Sequence, residues 1–196
     1  MKIEIGKKQI LLIGAVIVAI ILINKMVNTI PVGNDSLNVH MNHSTSASTD
    51  YTADEVMFAK MMIPHHQQAI EMSDMALTTS TNPQVRALAQ QIRDAQAPEV
   101  EEMKMWFPTT GMDAMMDDMP MSGMLSDSEL ETLRASTGTT FDRLFLTGMI
   151  GHHEGALEMV SLIKDSKNPE VKKLASNIVT SQTAEIALMK KYLAAL

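Results

Sequence analysis

No cysteine occurs among the 196 residues. That absence removes disulfides, iron–sulfur clusters, thiolate zinc sites and cysteine nucleophiles together, and it leaves thioether, imidazole and carboxylate as the available metal ligands. Aromatic residues are nearly as scarce: four Phe, two Tyr and one Trp are too few for an aromatic-rich β-sandwich or a base-stacking nucleic-acid surface. Positive charge is short as well, with 16 Lys and Arg against 23 Asp and Glu, a net −7. Residues 1–38 hold four Lys and two acids, so the remainder carries twelve basic and twenty-one acidic side chains, or −9. Such a body repels phosphate backbones and concentrates cations, which argues against nucleic acid as a partner. The length suits one working domain with appendages rather than a multidomain enzyme. What the chain has in quantity is methionine: nineteen residues within an apolar fraction of 45%, the palette of a helical bundle.

The first organised feature is an uncharged apolar run from Ile10 to Ile23, preceded by Lys2, Lys7 and Lys8 and followed by Asn24 and Lys25. As a helix at about 1.5 Å per residue it spans roughly 21 Å, short of the roughly 30 Å hydrocarbon core unless flanking residues help. It has no polar face, as a buried core helix would, and no clear Ala-x-Ala follows it. An uncleaved signal anchor is therefore expected over residues 1–30 in preference to a cleaved signal peptide. The Lys excess ahead of the run places the N-terminus in the cytoplasm and the body outside the membrane. Residues 31–51, rich in Ser, Thr and Asn, read as a flexible tether. The folded domain is expected over 52–196.

Within that domain, Thr52-x-x-Glu55 is a capping box for a first helix reaching about Thr79. Asn82-Pro83 supplies an N-cap and N1 proline for a second helix to about Trp106, which Pro98 should bend or interrupt. Ser126-x-x-Glu129 caps a short helix that Gly138 should end. An internal repeat then sets the architecture. The segment Phe58–Met72 matches Phe145–Met159 at an offset of 87, and the match continues at 86, where Asn82-Pro83 answers Asn168-Pro169, Glu99 answers Glu185 and Met103 answers Met189. Both halves read as helical hairpins. Neither hairpin buries its apolar stripe alone, so two of them packing about a pseudo-twofold axis predict an all-α four-helix bundle with a long crossover at about 107–125.

Four of the six histidines form two pairs at equivalent repeat positions, His65-His66 and His152-His153. Met62 lies three residues before His65, Met61 four before it and Met72 seven after it, so all share one helix face. The second half repeats this with Met149 and Met159, but Gly148 stands where the first half has Met61, one thioether fewer. Ala69 and Ala156, one turn past the first His of each pair, leave room for an ion or for a close helix contact. Pro64 and Gly151 precede the two pairs at one repeat position and weaken helix regularity there. Proline removes a backbone hydrogen bond and kinks the helix, which can turn the imidazoles inward or merely fit the packing.

Di-iron bundles use Glu-x-x-His on two helices with two further Glu. Here the pattern is Met62-x-x-His65 and Met149-x-x-His152. Replacing carboxylate by neutral thioether moves preference from iron toward soft monovalent ions, above all Cu(I), with Ag(I) as a mimic. A Met stripe at helical spacing is equally the signature of core filler. Binding should persist in mild acid until the imidazoles protonate near about 6.5. The crossover adds Met112, Met115, Met116, Met119, Met121 and Met124, six thioethers in thirteen positions. The first four also fit an amphipathic helical stripe, whereas Met121 and Met124 lie beyond Pro120 and do not. With Asp113, Asp117 and Asp118 among them, they read as a set that captures Cu(I). His40-Met41-x-His43 in the tether is a weaker instance.

The segments Met62-Ile-Pro-His-His-Gln-Gln-Ala-Ile-Glu-Met72, Asn82-Pro83, Phe141–Leu146 and Met149-Ile-Gly-His-His-Glu-Gly-Ala-Leu-Glu-Met159 resemble the domain of unknown function 305 family, which includes CopM-type copper-binding members. The resemblance covers roughly residues 50–196. It implies a ferritin-like four-helix bundle in the bacterial cell envelope that binds Cu(I) and Ag(I) through Met and His and supports copper resistance. By position it implies His65, His66, His152, His153, Met61, Met62, Met72, Met149 and Met159 as ligands.

Three readings follow. The first is a non-catalytic, membrane-tethered copper-binding protein that sequesters Cu(I) or hands it to an envelope copper transporter or chaperone; no nucleophile–base pair, phosphate loop or dinucleotide fingerprint points to a reaction. The second is a metal-dependent oxidoreductase using Glu71, Glu99, Glu158 and Glu185 with the histidines around iron or copper. The third is a structural bundle whose methionines serve packing.

Overall fold

The computed structural model describes residues 51–107 and 121–196. The expected anchor, residues 31–50 of the tether and the crossover positions Met112, Met115, Met116 and Met119 lie outside the described residues. No helix among the described residues is long and apolar enough to cross a membrane.

The described chain is all-helical. α1 spans Ala53–Thr79, and its capping box forms as the sequence predicts: Glu55 N–H donates to the Thr52 hydroxyl while the Glu55 carboxylate accepts from Thr52 N–H at 2.7 Å. α2 spans Pro83–Lys104 from the Asn82 cap. α3 is the short helix Asp127–Ala135, capped by Ser126 and Glu129. α4 spans Gly138–Met159 and tightens into a 3₁₀ turn, Val160–Ile163. α5 spans Pro169–Leu193 from Asn168. α2 continues through Pro98, so of the two outcomes expected there, a bend or an interruption, the interruption does not occur. One local expectation fails. Gly138, at φ +57°, opens α4 instead of ending α3, which stops at Ser136.

Four long helices pack as two hairpins, α1 with α2 and α4 with α5. Each connection is tied by a serine: Ser80 Oγ donates to buried Asp142 on α4 at 2.5 Å, and Ser166 Oγ donates to Glu55 on α1 at 2.5 Å. Each loop is thereby fastened to the opposite hairpin. α1 and α4 run antiparallel, since Phe58 and Met62 from the first half of α1 share an apolar cluster with Met159 at the end of α4 and Ile163 in the turn after it. A second cluster joins Met72 and Ala76 to Phe141, Phe145 and Met149.

Candidate metal centre

The two apolar clusters do not merge along the helices. On α1 they are separated by His65 and His66, on α2 by Gln96, on α4 by His152 and His153, and on α5 by Gln182. All six of these side chains are buried. Glu99 and Glu185 lie one turn beyond the two glutamines and belong to the same polar belt across the middle of the bundle. The belt follows the repeat, residue for residue.

Its inner contacts are specific. His66 Nε2 is 2.9 Å from Glu99 Oε2, and His153 Nε2 is 2.8 Å from Glu185 Oε2. His65 and His152 stack across the contact between α1 and α4 with ring centroids 3.6 Å apart and planes tilted by 35°. Within each sequence pair the rings stand farther apart, at 6.4 and 6.3 Å. Burial, and then the neighbouring His66, push the His65 imidazole down to about 3. Burial and His153 do the same to His66, also to about 3, and burial with three surrounding imidazoles holds His152 well below its ordinary value. Burial and nearby Glu185 raise Glu99 to about 8. The acid limit near 6.5 anticipated from free imidazole therefore does not apply to these three rings: in the folded protein they stay neutral well into acid, because burial disfavours the cation.

Neutral imidazole is the ligating form. In the tautomer whose Nε2–H donates to the carboxylate, Nδ1 keeps its lone pair, the arrangement by which carboxylates orient metal-binding histidines. Nδ1 of all four histidines is buried without a hydrogen-bond partner, as are His152 Nε2 and both amide atoms of Gln96 and Gln182. Orphaned polar atoms in such number are uncommon in native cores and point to a guest. The belt is not a ready-made chelate, however. No three His, Asp or Glu side chains among the described residues are arranged to hold an ion.

The thioethers divide by cluster. Met62 and Met159 lie in one apolar cluster with Met103, and Met72 and Met149 lie in the other with Met189. Each set is the repeat image of the other, and each flanks the belt from one end. All six are buried, whereas Met61 is half-buried at the edge of the first cluster. Of the crossover thioethers, Met121 and Met124 are described, both half-buried. Among the four acids of the oxidoreductase reading, only Glu99 and Glu185 meet histidines. Glu71 pairs with Arg134 at 2.9 Å, and Glu158 accepts from the Ser122 hydroxyl at 2.6 Å, both at the surface.

The glycines of α4 have a role that a count of thioethers does not suggest. A Cβ at Gly148 would meet the Leu125 side chain at 3.1 Å, and one at Gly155 would meet the Ser122 carbonyl oxygen at 2.0 Å. Residues 122–125 lie directly on this face. α4 itself is unbroken through Gly148 and Gly151. Gln96, Gln182, Met103 and Met189 escaped selection as site residues, although the Gln-x-x-Glu spacing recurs in α2 and α5 and carried the signal.

A family model for "Domain of unknown function (DUF305)" matches residues 55–193. Among solved structures, the chain is similar to a DUF305 fragment from Deinococcus radiodurans, with 34% identity over 74% of this chain and 98% of that one and a TM-score of 0.66. It is similar to a putative secreted DUF305 protein from Streptomyces coelicolor at 33% identity, covering 73% and 94% of the two chains, with a TM-score of 0.65. CopM in its Cu(II)-bound form is 36% identical, covering 71% and 95%, with a TM-score of 0.61, and CopM is also solved with Cu(I) and with Ag bound. A search of curated proteins finds no match.

Proposed function

The chain belongs to the DUF305 family, and from that premise we propose that it binds Cu(I), with Ag(I) as a substitute, through the histidine belt and its flanking thioethers, as a non-catalytic carrier or store of the ion. The observation that carries this reading is the set of four buried imidazoles with unpartnered Nδ1 atoms, two of them paired with Glu99 and Glu185 and all bracketed by repeat-related methionines. Copper is cargo here, and its arrival requires the stacked rings of His65 and His152 to part. CopM, solved with copper and with silver, supports the choice of ion. Anchoring by Ile10–Ile23, with the bundle outside the cytoplasmic membrane and handing Cu(I) to an envelope transporter or chaperone, completes the proposal; it rests on the apolar run and the lysines ahead of it.

Cu(I) titration against a competing chelator tests the binding. The wild type should compete, and a variant with His65, His66, His152 and His153 all changed to Ala should lose more than about a hundredfold in affinity, two decades being about 2.7 kcal/mol. Equal affinity of the two proteins would overturn the proposal. The Glu99–His66 and Glu185–His153 pairs favour one second reading, an iron-dependent oxidoreductase. Turnover that follows iron loading and ceases in Glu99→Gln would establish it in place of the first.

A further inference from the structure

The end of the crossover, Met121–Leu125, is pinned over the histidine pair. Ser122 O accepts from His65 Nε2 at 3.1 Å, and Ser122 Oγ donates to Glu158 at 2.6 Å. Gln68 grips the next residues with its whole amide: its Nε2 donates to Leu125 O at 2.9 Å, and its Oε1 accepts from Leu125 N–H at 2.8 Å. Gly123 adopts φ +81°, and a Cβ there would lie 2.4 Å from Gly151 O and 3.1 Å from the His152 Cα. Backbone thus lies on backbone beside both stacked rings. The seat is specific to this edge of the bundle, because the repeat equivalents of Gly148, Gly151 and Gly155 are Met61, Pro64 and Gln68. One half supplies the groove and the other half, through Gln68, supplies the clasp.

We propose that Met121–Leu125 is a strap that covers His65 and His152 and controls soft-metal access to them, opening by release of Leu125 from Gln68 and of Gly123 from its α4 seat. This rests on the copper reading above. Lifting the strap does two things at once: it uncovers the pair, and it frees His65 Nε2 from Ser122 O so that the ring can turn away from His152. Met121 and Met124 belong to the segment that moves, and both are half-buried in the closed strap. The clasp consists of two neutral hydrogen bonds, strong enough to hold the strap closed and weak enough to open without unfolding the bundle.

The test uses the full chain with Ag(I), read by stopped flow, together with amide hydrogen exchange at Leu125 in the metal-free protein. Gln68→Ala, with its fold checked by circular dichroism, should raise Leu125 exchange and the Ag(I) association and dissociation rates by about tenfold or more, with stoichiometry unchanged. Gly123→Ala should act in the same direction. Gly138→Ala, at the other left-handed glycine with open space around it, should leave both rates alone. Faster Leu125 exchange with unchanged Ag(I) rates in Gln68→Ala would overturn the strap as a gate while leaving the copper reading intact. Failure of the wild type to take up Ag(I) would overturn both, and the exchange data would still report whether the strap opens.

Discussion

The two hairpins are alike in the middle of the bundle and unlike at its edge. In the belt, His66, Gln96 and Glu99 are matched by His153, Gln182 and Glu185, and the two His–Glu distances differ by 0.1 Å. On the face that meets the crossover, Met61, Pro64 and Gln68 of the first hairpin are answered by three glycines of the second. Buried polar groups tolerate little change because each depends on its partner, whereas an edge diverges freely once a different segment packs against it. The departure from symmetry that first looks like a missing thioether, Gly148 for Met61, is the place where Leu125 sits.

The broadest challenge to that comparison is acid, which acts on the belt of both hairpins together. His65 and His66 have folded values of about 3, and His152 is well below 6.5, so between these values and 6.5 the unfolded chain binds more protons than the folded one. Their contribution is complete above about 6.5 and is lost as pH falls. Glu99 works oppositely: raised from 4.5 to about 8, it favours the folded state below 4.5 and loses that contribution as pH rises through 8. Three imidazoles outweigh one carboxyl, so the melting temperature of the metal-free protein should peak near pH 6.5, drop steeply toward pH 4.5 and decline gently toward pH 8. Glu99→Gln should flatten the alkaline arm and steepen the acid one, since Glu99 holds an extra proton in the folded state between 4.5 and about 8. A melting temperature constant from pH 4.5 to 6.5 would mean that the rings are hydrated and the belt is not closed.

A second challenge compares the apolar ends. Phe58 and Phe145 are repeat equivalents, both fully buried, and Phe→Ala at either should cost about 3–5 kcal/mol in denaturant unfolding. Phe58 leans on Trp106 and Phe145 on Phe141, so costs differing by more than about 2 kcal/mol would show that the two clusters are not energetic equivalents. The smallest effect sharpens the comparison at the centre. Glu99→Gln and Glu185→Gln should each lower Cu(I) affinity by about tenfold to a hundredfold, as loss of a partner orienting a ligand does. A large loss in one and none in the other, by competition titration, would make the belt functionally one-sided.

Much of this was legible along the chain. The capping boxes at Thr52 and Ser126, the two Asn-Pro starts and the 87-residue repeat predict the helices and their pairing into hairpins, because capping and periodicity act within a few residues. At Pro98 the sequence allowed a bend or an interruption, and the continuity of α2 there was decided by the structure. Gly138 misled because a left-handed glycine serves as well between two helices as after one. The histidines could be singled out by duplication, but the orienting roles of Glu99 and Glu185 required knowing which helix faces which. The methionines could be counted, yet their division into two clusters on either side of the belt required the same knowledge.

The sequence by itself determined that there are two hairpins, where each long helix begins, and which residues recur at the middle of both. These are short-range matters of spacing, capping and duplication. Only the tertiary structure decided that the hairpins meet with α1 antiparallel to α4, so that His65 stacks on His152, and that Ser122 and Leu125 settle on Gly155 and Gln68. Such contacts join residues 33, 57 or 87 positions apart. No local preference encodes them: they arise from the one arrangement that buries both apolar stripes while keeping the belt's carboxyls against its imidazoles.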